Sequence, residues 1–192
     1  MSALTLQLPN HLQFTDEEFA QVVAANKDLR LELSAEGELV IMSPTGGETG
    51  NRNFDLLGQV WFWNRQHNLG KAFDSSTGFK LPNGATRSPD AAWIRMEKWD
   101  GLTPQQRKKF LPLCPDFAVE LVSETDDIAD TQAKMREYLA NGLQLGWLIN
   151  PHDQQVEIYR PHQPLEILQS PTSLSGEEVL PGFTLNLQQI FA

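Results

Sequence analysis

The segment PDFAVELVSETD, residues 115–126, places one acid inside an otherwise apolar run. Three apolar residues precede Glu120, and Leu121 and Val122 follow it, so the run has the length and composition of a buried β-strand. Desolvating an unpaired carboxylate costs several kcal/mol or more, and glutamate is therefore seldom buried without a partner. Glu120 consequently needs a cation or a positively charged side chain beside it.

Helical and strand patterns alternate along the chain and predict a mixed β-sheet flanked by helices. Helical periodicity and end signals predict three helices, over residues 16–26, 46–70 and 125–142. Apolar and polar residues alternate on both sides of Gly37 and predict a hairpin over residues 29–44. Further strands are predicted at residues 71–75, 77–81, 88–94, 116–122, 145–150 and 154–161. This order of elements indicates an α/β or α+β fold.

The second predicted helix is long and rich in aromatic residues. It follows a glycine-containing loop and is expected to end at Gly70. Phe54, Leu57, Trp61 and the neighbouring aromatic residues are expected to face the core.

Composition and charge bound the class of protein. With 192 residues, of which 40% are hydrophobic and 21% charged, we expect residues 1–192 to form one domain. Cys114 is the only cysteine, which excludes an internal disulfide and a zinc site built on cysteine pairs. No signal-peptide pattern and no long apolar stretch are present, so a cytoplasmic protein without a membrane segment is expected. A net charge of −10 speaks against a general nucleic-acid-coating protein.

Two acids belong to strands that can be neighbours in the sheet. Asp90 opens the strand predicted at residues 88–94, and Glu120 lies inside the strand predicted at residues 116–122. Carboxylates held side by side repel each other, and a shared proton or a divalent cation relieves the repulsion. Mg²⁺ typically takes one or two carboxylates together with waters and substrate phosphates. The backbone carbonyl of Leu121 can supply a further oxygen ligand.

A lysine in the next predicted helix can complete such a site. Lys134 lies about two turns into the helix, with Tyr138 on the same face at the i+4 position. Its long side chain can therefore return towards the end of the strand that carries Glu120. A positive charge there would stabilise the charge that develops when a phosphodiester is hydrolysed.

Each of these residues also has a plainer interpretation. Asp90 can be a turn or capping acid, and Lys134 can be a solvated residue on the surface of a helix. Glu120 can be a salt-bridged acid on an edge strand. The residues alone leave these interpretations open beside the metal site.

Four segments, SPDAAWI, PDFAVELVSETD, QAKMREYLANG and LGWLINPHDQQVEIYRP, resemble in this order the putative-restriction-endonuclease-like family of uncharacterised bacterial proteins. That family belongs to the PD-(D/E)XK nuclease superfamily, and the resemblance extends over roughly residues 15–190. It implies a restriction-endonuclease-like core with a mixed central sheet. Asp90 matches the first acid of the superfamily pattern, and Glu120 matches the acid of its Glu-X-Lys motif.

The chain departs from the superfamily pattern at the lysine of that motif, where Val122 stands. The resemblance implies that Lys134 takes over this role, which makes Asp90, Glu120 and Lys134 the expected catalytic residues. Glu48, at the start of the long helix, resembles an additional polar position that some superfamily members bring to the metal. The expected metal ligands are therefore Asp90, Glu120, the carbonyl of Leu121, and Glu48.

The resemblance implies a Mg²⁺-dependent DNA endonuclease, with Mn²⁺ as a substitute and no organic cofactor. A homodimer is expected, because superfamily relatives often dimerise to cut both strands. Without metal, Lys134 is the expected salt-bridge partner of Glu120. Two alternatives stay open. A non-catalytic interaction or regulatory protein is favoured by the net charge and by Val122, whereas a hydrolase of a smaller phosphodiester would suit an acidic surface.

Overall fold

The computed structural model describes residues 4–8, 14–124 and 126–192. The helices are α1 (Asp16–Ala25), α2 (Gly47–His67), α3 (Met96–Asp100) and α4 (Ile128–Ala140), with a 3₁₀ turn at Gln106–Lys108. The strands are β1 (Leu4–Leu6), β2 (Arg30–Leu33), β3 (Leu39–Met42), β4 (Gly70–Asp74), β5 (Phe79–Lys80), β6 (Thr86–Arg87), β7 (Ala91–Arg95), β8 (Phe117–Leu121), β9 (Leu145–Asn150), β10 (Gln155–Tyr159), β11 (Glu166–Gln169), β12 (Ser173–Ser175) and β13 (Thr184–Asn186).

A six-stranded mixed sheet with the order β11-β10-β9-β8-β7-β4 forms the centre of the fold. Strands β8 and β9 are parallel, and the other neighbouring pairs are antiparallel. Strands β7 and β8 pair with Ala91 opposite Val119, so the two strands associated with Asp90 and Glu120 are neighbours. The prediction of a mixed central sheet flanked by helices is confirmed.

A second, antiparallel sheet has the order β1-β3-β2-β6-β5, and strands β12 and β13 form a small third sheet. The predicted hairpin is formed by β2 and β3, with Gly37 at φ 87° in the connecting turn. The aromatic ring of Phe19 on α1 is buried against Leu31 and Leu33 of β2. The sequence did not predict that this hairpin lies in a separate sheet, because two-residue strands such as β6 leave no periodic pattern.

The helix boundaries follow from their caps. In α1 the side chain of Thr15 accepts from the backbone N–H of Glu18, whose side chain accepts in return, which confirms the predicted capping box. Helix α2 ends at His67 because Asn68 adopts a left-handed conformation, so Gly70 begins β4 and the predicted end was three residues too late. Helix α4 begins after the capping residue Asp127. The predicted start at residue 125 lies outside the described residues.

The prediction that Phe54 and Trp61 face the core is wrong. Their exposed fractions are 78% and 57%, whereas Leu57 is half-buried against the core. Helix α2 carries apolar residues on two sides, and only one side can pack on the central sheet. That side is formed by the buried residues Leu56, Val60 and Trp63. None of the helices within the described residues is both long and apolar enough to cross a membrane.

Alternation along β8 decides which way Glu120 faces. Val119 and Leu121 belong to the apolar cluster on the α2 side of the sheet. Ala118 and Val122 belong to the cluster on the other side, together with residues of α4. Because successive side chains of a strand point to opposite faces, Glu120 shares the α4 side.

Candidate functional site

Asp90 lies immediately before β7 and is held by two donors. Its Oδ2 accepts from the backbone N–H of Leu121 at 2.9 Å, and its Oδ1 accepts from the side-chain amide of Asn53 at 3.2 Å. The first bond fixes the carboxylate beside the residue that follows Glu120. Burial raises the pKa of Asp90, against the opposing effects of the Leu121 N–H and of the charge on Lys134.

Glu120 receives two contacts from helix α4, both at its Oε1. The ammonium of Lys134 lies 3.0 Å away, and the hydroxyl of Tyr138 donates at 2.9 Å. Lys134 and Tyr138 are one turn apart on α4. The expected salt bridge between Lys134 and Glu120 is present, and Tyr138 contacts the same oxygen. Burial raises the pKa of Glu120 to about 7, and the charges of Asp90 and Glu32 add to the rise while Lys134 opposes it.

Lys134 remains charged in this buried position. Burial acts to lower the pKa of Lys134, but the neighbouring carboxylates of Glu120 and Glu32 outweigh it, and the pKa is raised above its ordinary value. The structure thus brings Asp90, Glu120 and Lys134 to one place. The chemistry available there combines a carboxylate that titrates near neutral pH with a permanent positive charge.

Two neutral oxygens are available on the side of Asp90. Among the described residues, the buried Oδ1 of Asn53 has no hydrogen-bond partner, and such an atom calls for a water or an ion. The N–H and C=O of one strand residue point to the same side, so the carbonyl of Leu121 points towards the side of Asp90.

The ligand types present at this site suit Mg²⁺. Within the described parts of the chain, no three His, Cys, Asp or Glu side chains converge to hold a metal. A cation would therefore rely on Asp90, Glu120, the two neutral oxygens and water. Mg²⁺ accepts such a set, because it commonly binds one or two carboxylates and keeps several waters.

The structure does not bring Glu48 into this cluster. Glu48 lies in the first turn of α2, where its largely exposed carboxylate is 3.8 Å from Arg52 on the next turn. It lines the same cavity as Asp90, but Asn53 is the residue of α2 that contacts Asp90. At the position of the motif lysine, Val122 is buried in the apolar cluster on the α4 side, and its N–H donates to Ile149.

Three site residues were not identified from the sequence: Glu32, Asn53 and Arg87. Glu32 alternates with Leu31 and Leu33 in β2, a pattern typical of a solvated face, so no local signal marks it as buried. Asn53 carries a weak signal, since asparagine is a poor helix former inside a predicted helix.

The cluster lies in a cavity of about 920 Å³ bounded by β2, β3, the start of α2 and helix α4. Among the residues that the structure describes, eleven acidic and four basic ones line the cavity. The acids at its mouth include residues of the loop after β8, namely Glu124, Asp126 and Asp127. A polyanionic substrate would therefore meet net repulsion at this cavity unless cations were bound.

Comparisons with known proteins bear on the fold and on the family. The crystal structure of a putative nuclease belonging to DUF820 from Anabaena variabilis superposes with a TM-score of 0.77, covering 93% of this chain and 97% of that chain. The identity is 18%, so this likeness bears on the fold alone. No match was found among the curated proteins. The model of the Uma2 family, described as putative restriction endonuclease, matches residues 16–188, and the chain belongs to this family.

Proposed function

We propose that the protein is a Mg²⁺-dependent endonuclease that hydrolyses phosphodiester bonds of DNA, with Mn²⁺ able to replace Mg²⁺. The observation that carries the proposal is the meeting of Asp90, Glu120 and Lys134 at two neighbouring strands, with Lys134 Nζ 3.0 Å from Glu120. The proposal requires no organic cofactor. It is consistent with a cytoplasmic protein, because DNA and Mg²⁺ are both available there.

The residues of the cluster divide the work between holding a cation and stabilising charge. Asp90, Glu120, the Leu121 carbonyl and Asn53 would hold the cation, and Glu48 at the cavity mouth would act through a water. Bound there, Mg²⁺ supplies a Lewis acid that lowers the pKa of a coordinated water and neutralises charge on the phosphate. Lys134 would donate to the attacking water or to a phosphate oxygen and so stabilise the developing negative charge.

A smaller phosphodiester is the second candidate substrate. Its support is the excess of acidic over basic residues around the cavity, which disfavours a long polyanion. A small substrate carries one phosphate into the site and leaves the acidic mouth uncontacted. A non-catalytic role remains the alternative if neither substrate is hydrolysed.

Nicking of supercoiled plasmid in Mg²⁺ or Mn²⁺ tests the proposal. Single-stranded DNA and bis(p-nitrophenyl) phosphate serve as further substrates. We expect wild type and Glu178→Gln, which removes an exposed charge, to cleave, and Glu120→Gln to be inactive. Cleavage should weaken as salt rises, because phosphate contacts are screened. If only the small diester is hydrolysed, a smaller phosphodiester is the substrate and DNA is not. If no substrate is hydrolysed, the proposed enzymatic activity is refuted.

The partner of this nuclease is proposed to be a second copy, bound through the outer face of α2. Phe54 and Phe62 are exposed on that face, at 78% and 59%, with Gly58 midway between them. Trp61 adjoins them, and the guanidinium of Arg65 lies over its ring, 5.6 Å from the ring centroid. A helix that is apolar on two faces is typically buried on both, so the outer face calls for a partner.

The pattern of this face suits an antiparallel pair of identical helices. A two-fold interface must be self-complementary, and crossing at Gly58 would set Phe54 of one copy against Phe62 of the other. A Cβ added at Gly58 meets no atom within 4 Å, so the helices can approach closely there. The three aromatic side chains would supply roughly 400 of the roughly 800 Å² per partner that a stable interface buries.

Light scattering over a dilution series tests this interface. Wild type should be a dimer, whereas Phe62→Ser and Gly58→Glu should be monomers, the latter because two glutamates would meet at the crossing. Ile167→Ser removes an equally exposed apolar side chain from β11 and should leave the dimer intact. If wild type is a monomer at every concentration, the proposed interface does not exist. If Ile167→Ser weakens the dimer as much as Phe62→Ser does, the interface is not on the outer face of α2.

A further inference from the structure

Glu32 is a buried carboxylate that reaches the candidate site from the second sheet. It lies on β2, and its exposed fraction is 1%. A charge at this depth is costly unless it is paired and hydrogen-bonded. Although burial acts to raise it, the pKa of Glu32 is lowered, because the charges of Lys134 and Arg87 and the N–H of Ser88 outweigh burial. Glu32 is therefore an ionised carboxylate at neutral pH.

Three donors hold the two oxygens of Glu32. Oε1 accepts from the backbone N–H of Ser88 at 2.9 Å and from the ammonium of Lys134 at 3.3 Å. Oε2 accepts from the guanidinium of Arg87 at 3.3 Å, and Arg87 also donates to Glu137 on α4. The ammonium of Lys134 thus has two carboxylates within reach, Glu32 on one sheet and Glu120 on the other.

The carboxylate of Glu32 becomes important for Lys134 when Glu120 has another binding partner. Under the proposed function, on which this inference rests, Glu120 would help to hold a divalent cation, and its attraction for Lys134 would then be weaker. A lysine side chain has many accessible rotamers and would move if nothing else held it. Glu32 is not among the proposed ligands, so it can keep its contact with Lys134 while the cation is bound.

We propose that Glu32 is a positioning residue that holds the ammonium of Lys134 at the site from the β2 strand of the second sheet. A lysine located on β8 would be held in place by the backbone of its own strand. Lys134 lies on a helix instead, and Glu32 supplies the restraint. The rival explanation is purely structural, since Glu32 also ties β2 to β6 through Arg87 and Ser88. A structural role predicts that changing Glu32 lowers stability. A positioning role predicts that it lowers activity, and that it does so only when Lys134 is present.

A double-mutant cycle on turnover separates the two roles. Glu32→Gln keeps the shape and an acceptor for Ser88 but removes the charge, and Glu178→Gln makes the same change at an exposed turn. We expect kcat to fall about 10- to 100-fold in Glu32→Gln, with KM changed by less than about twofold. In the Lys134→Met background, Glu32→Gln should cause no further loss. Equal losses in both backgrounds would overturn the positioning role.

The ammonium resonance of Lys134 gives a readout that needs no substrate. Buried, paired ammonium protons exchange slowly, so ¹⁵N-labelled wild type should show a signal that is absent in Lys134→Met. With Mg²⁺ present, the signal should persist in wild type and Glu178→Gln and be lost in Glu32→Gln. An unchanged signal in Glu32→Gln would overturn the inference.

Failure of this inference and failure of the proposed function are distinguishable. The expected resonance pattern without any cleavage would refute the nuclease and leave the Glu32–Lys134 relationship standing. If Glu32→Gln does not fold, Glu32→Asp is the second variant, because it keeps the charge for Arg87 and withdraws the carboxylate by one methylene. Loss of the Lys134 signal in Glu32→Asp supports the inference, and its retention with wild-type kcat overturns it.

Discussion

The ammonium of Lys134 lies 3.0 Å from Oε1 of Glu120, although one residue belongs to a helix and the other to the central sheet. The superfamily pattern would place a lysine two residues after Glu120, where Val122 is buried instead. A lysine on α4 thus reaches the carboxylate that a strand lysine would accompany. Under the proposed function, activity then depends on the packing of α4 against β9 and β10, because that packing sets the position of Lys134.

Replacing Lys134 by methionine tests its role in catalysis. Lys134→Met keeps most of the apolar stem and removes the charge, so cleavage in Mg²⁺ should fall about 10²–10³-fold. Stability should also fall, by about 3–5 kcal/mol without metal, because Glu120 and Glu32 lose the cation they share. Nicking is therefore measured well below the melting temperature of the variant. Wild-type rates in Lys134→Met would exclude the lysine from the mechanism.

Removing the hydroxyl of Tyr138 should destabilise the metal-free protein. That hydroxyl donates to Glu120 at 2.9 Å, and in Tyr138→Phe the carboxylate keeps only Lys134 at the same oxygen. Hydrogen bonds to charged groups contribute about 1.5–3 kcal/mol, against about 0.5–1.5 for neutral ones. Urea unfolding should show the larger loss at high pH, where Glu120 is ionised. A loss independent of pH would mean that packing, not the hydrogen bond, is disturbed.

The pH dependence of stability should report the titration of Glu120. Its pKa is raised to about 7, so the folded state takes up a proton that the unfolded state releases. The resulting stability is present below the ordinary pKa of glutamate and is lost as pH rises through about 7. Between about pH 5 and about pH 7, metal-free wild type should lose on the order of 1 kcal/mol per pH unit relative to Glu120→Gln, and the difference should level off above that range. Parallel profiles for the two proteins would contradict the raised pKa.

Sequence patterns predicted the fold and part of the central cluster, for physical reasons that can be named. Glu120 was conspicuous because an acid in an apolar strand must have a partner, and Tyr138 followed from helical spacing beside Lys134. Glu32 gave no such signal, because an acid in an alternating strand is normally solvated. Its burial results from the second sheet meeting α4, which is a long-range contact.

Helix α2 gives a second example of what sequence patterns could not predict. Periodicity identified the helix, but it could not say which of two apolar sides would meet the sheet. Leu56, Val60 and Trp63 do so, and Phe54 and Trp61 remain outside. The rotation of α2 on the sheet likewise decides which of its polar residues meets Asp90. It directs Asn53, and not Glu48, to Asp90.

Metal binding is tested by Asp90→Ala. Mg²⁺ or Mn²⁺ that binds only the folded state stabilises it by mass action, by about 2.7 kcal/mol at 100 times the dissociation constant. For a chain of this length that corresponds to a rise in melting temperature of about 5–10 °C. Wild type and Asp28→Ala, which removes an exposed acid, should show the rise, and Asp90→Ala should not. Without metal, Asp90→Ala should also lower the pKa of Glu120, because a neighbouring negative charge is gone. An equal response to metal in all three proteins would place the cation elsewhere on the acidic surface.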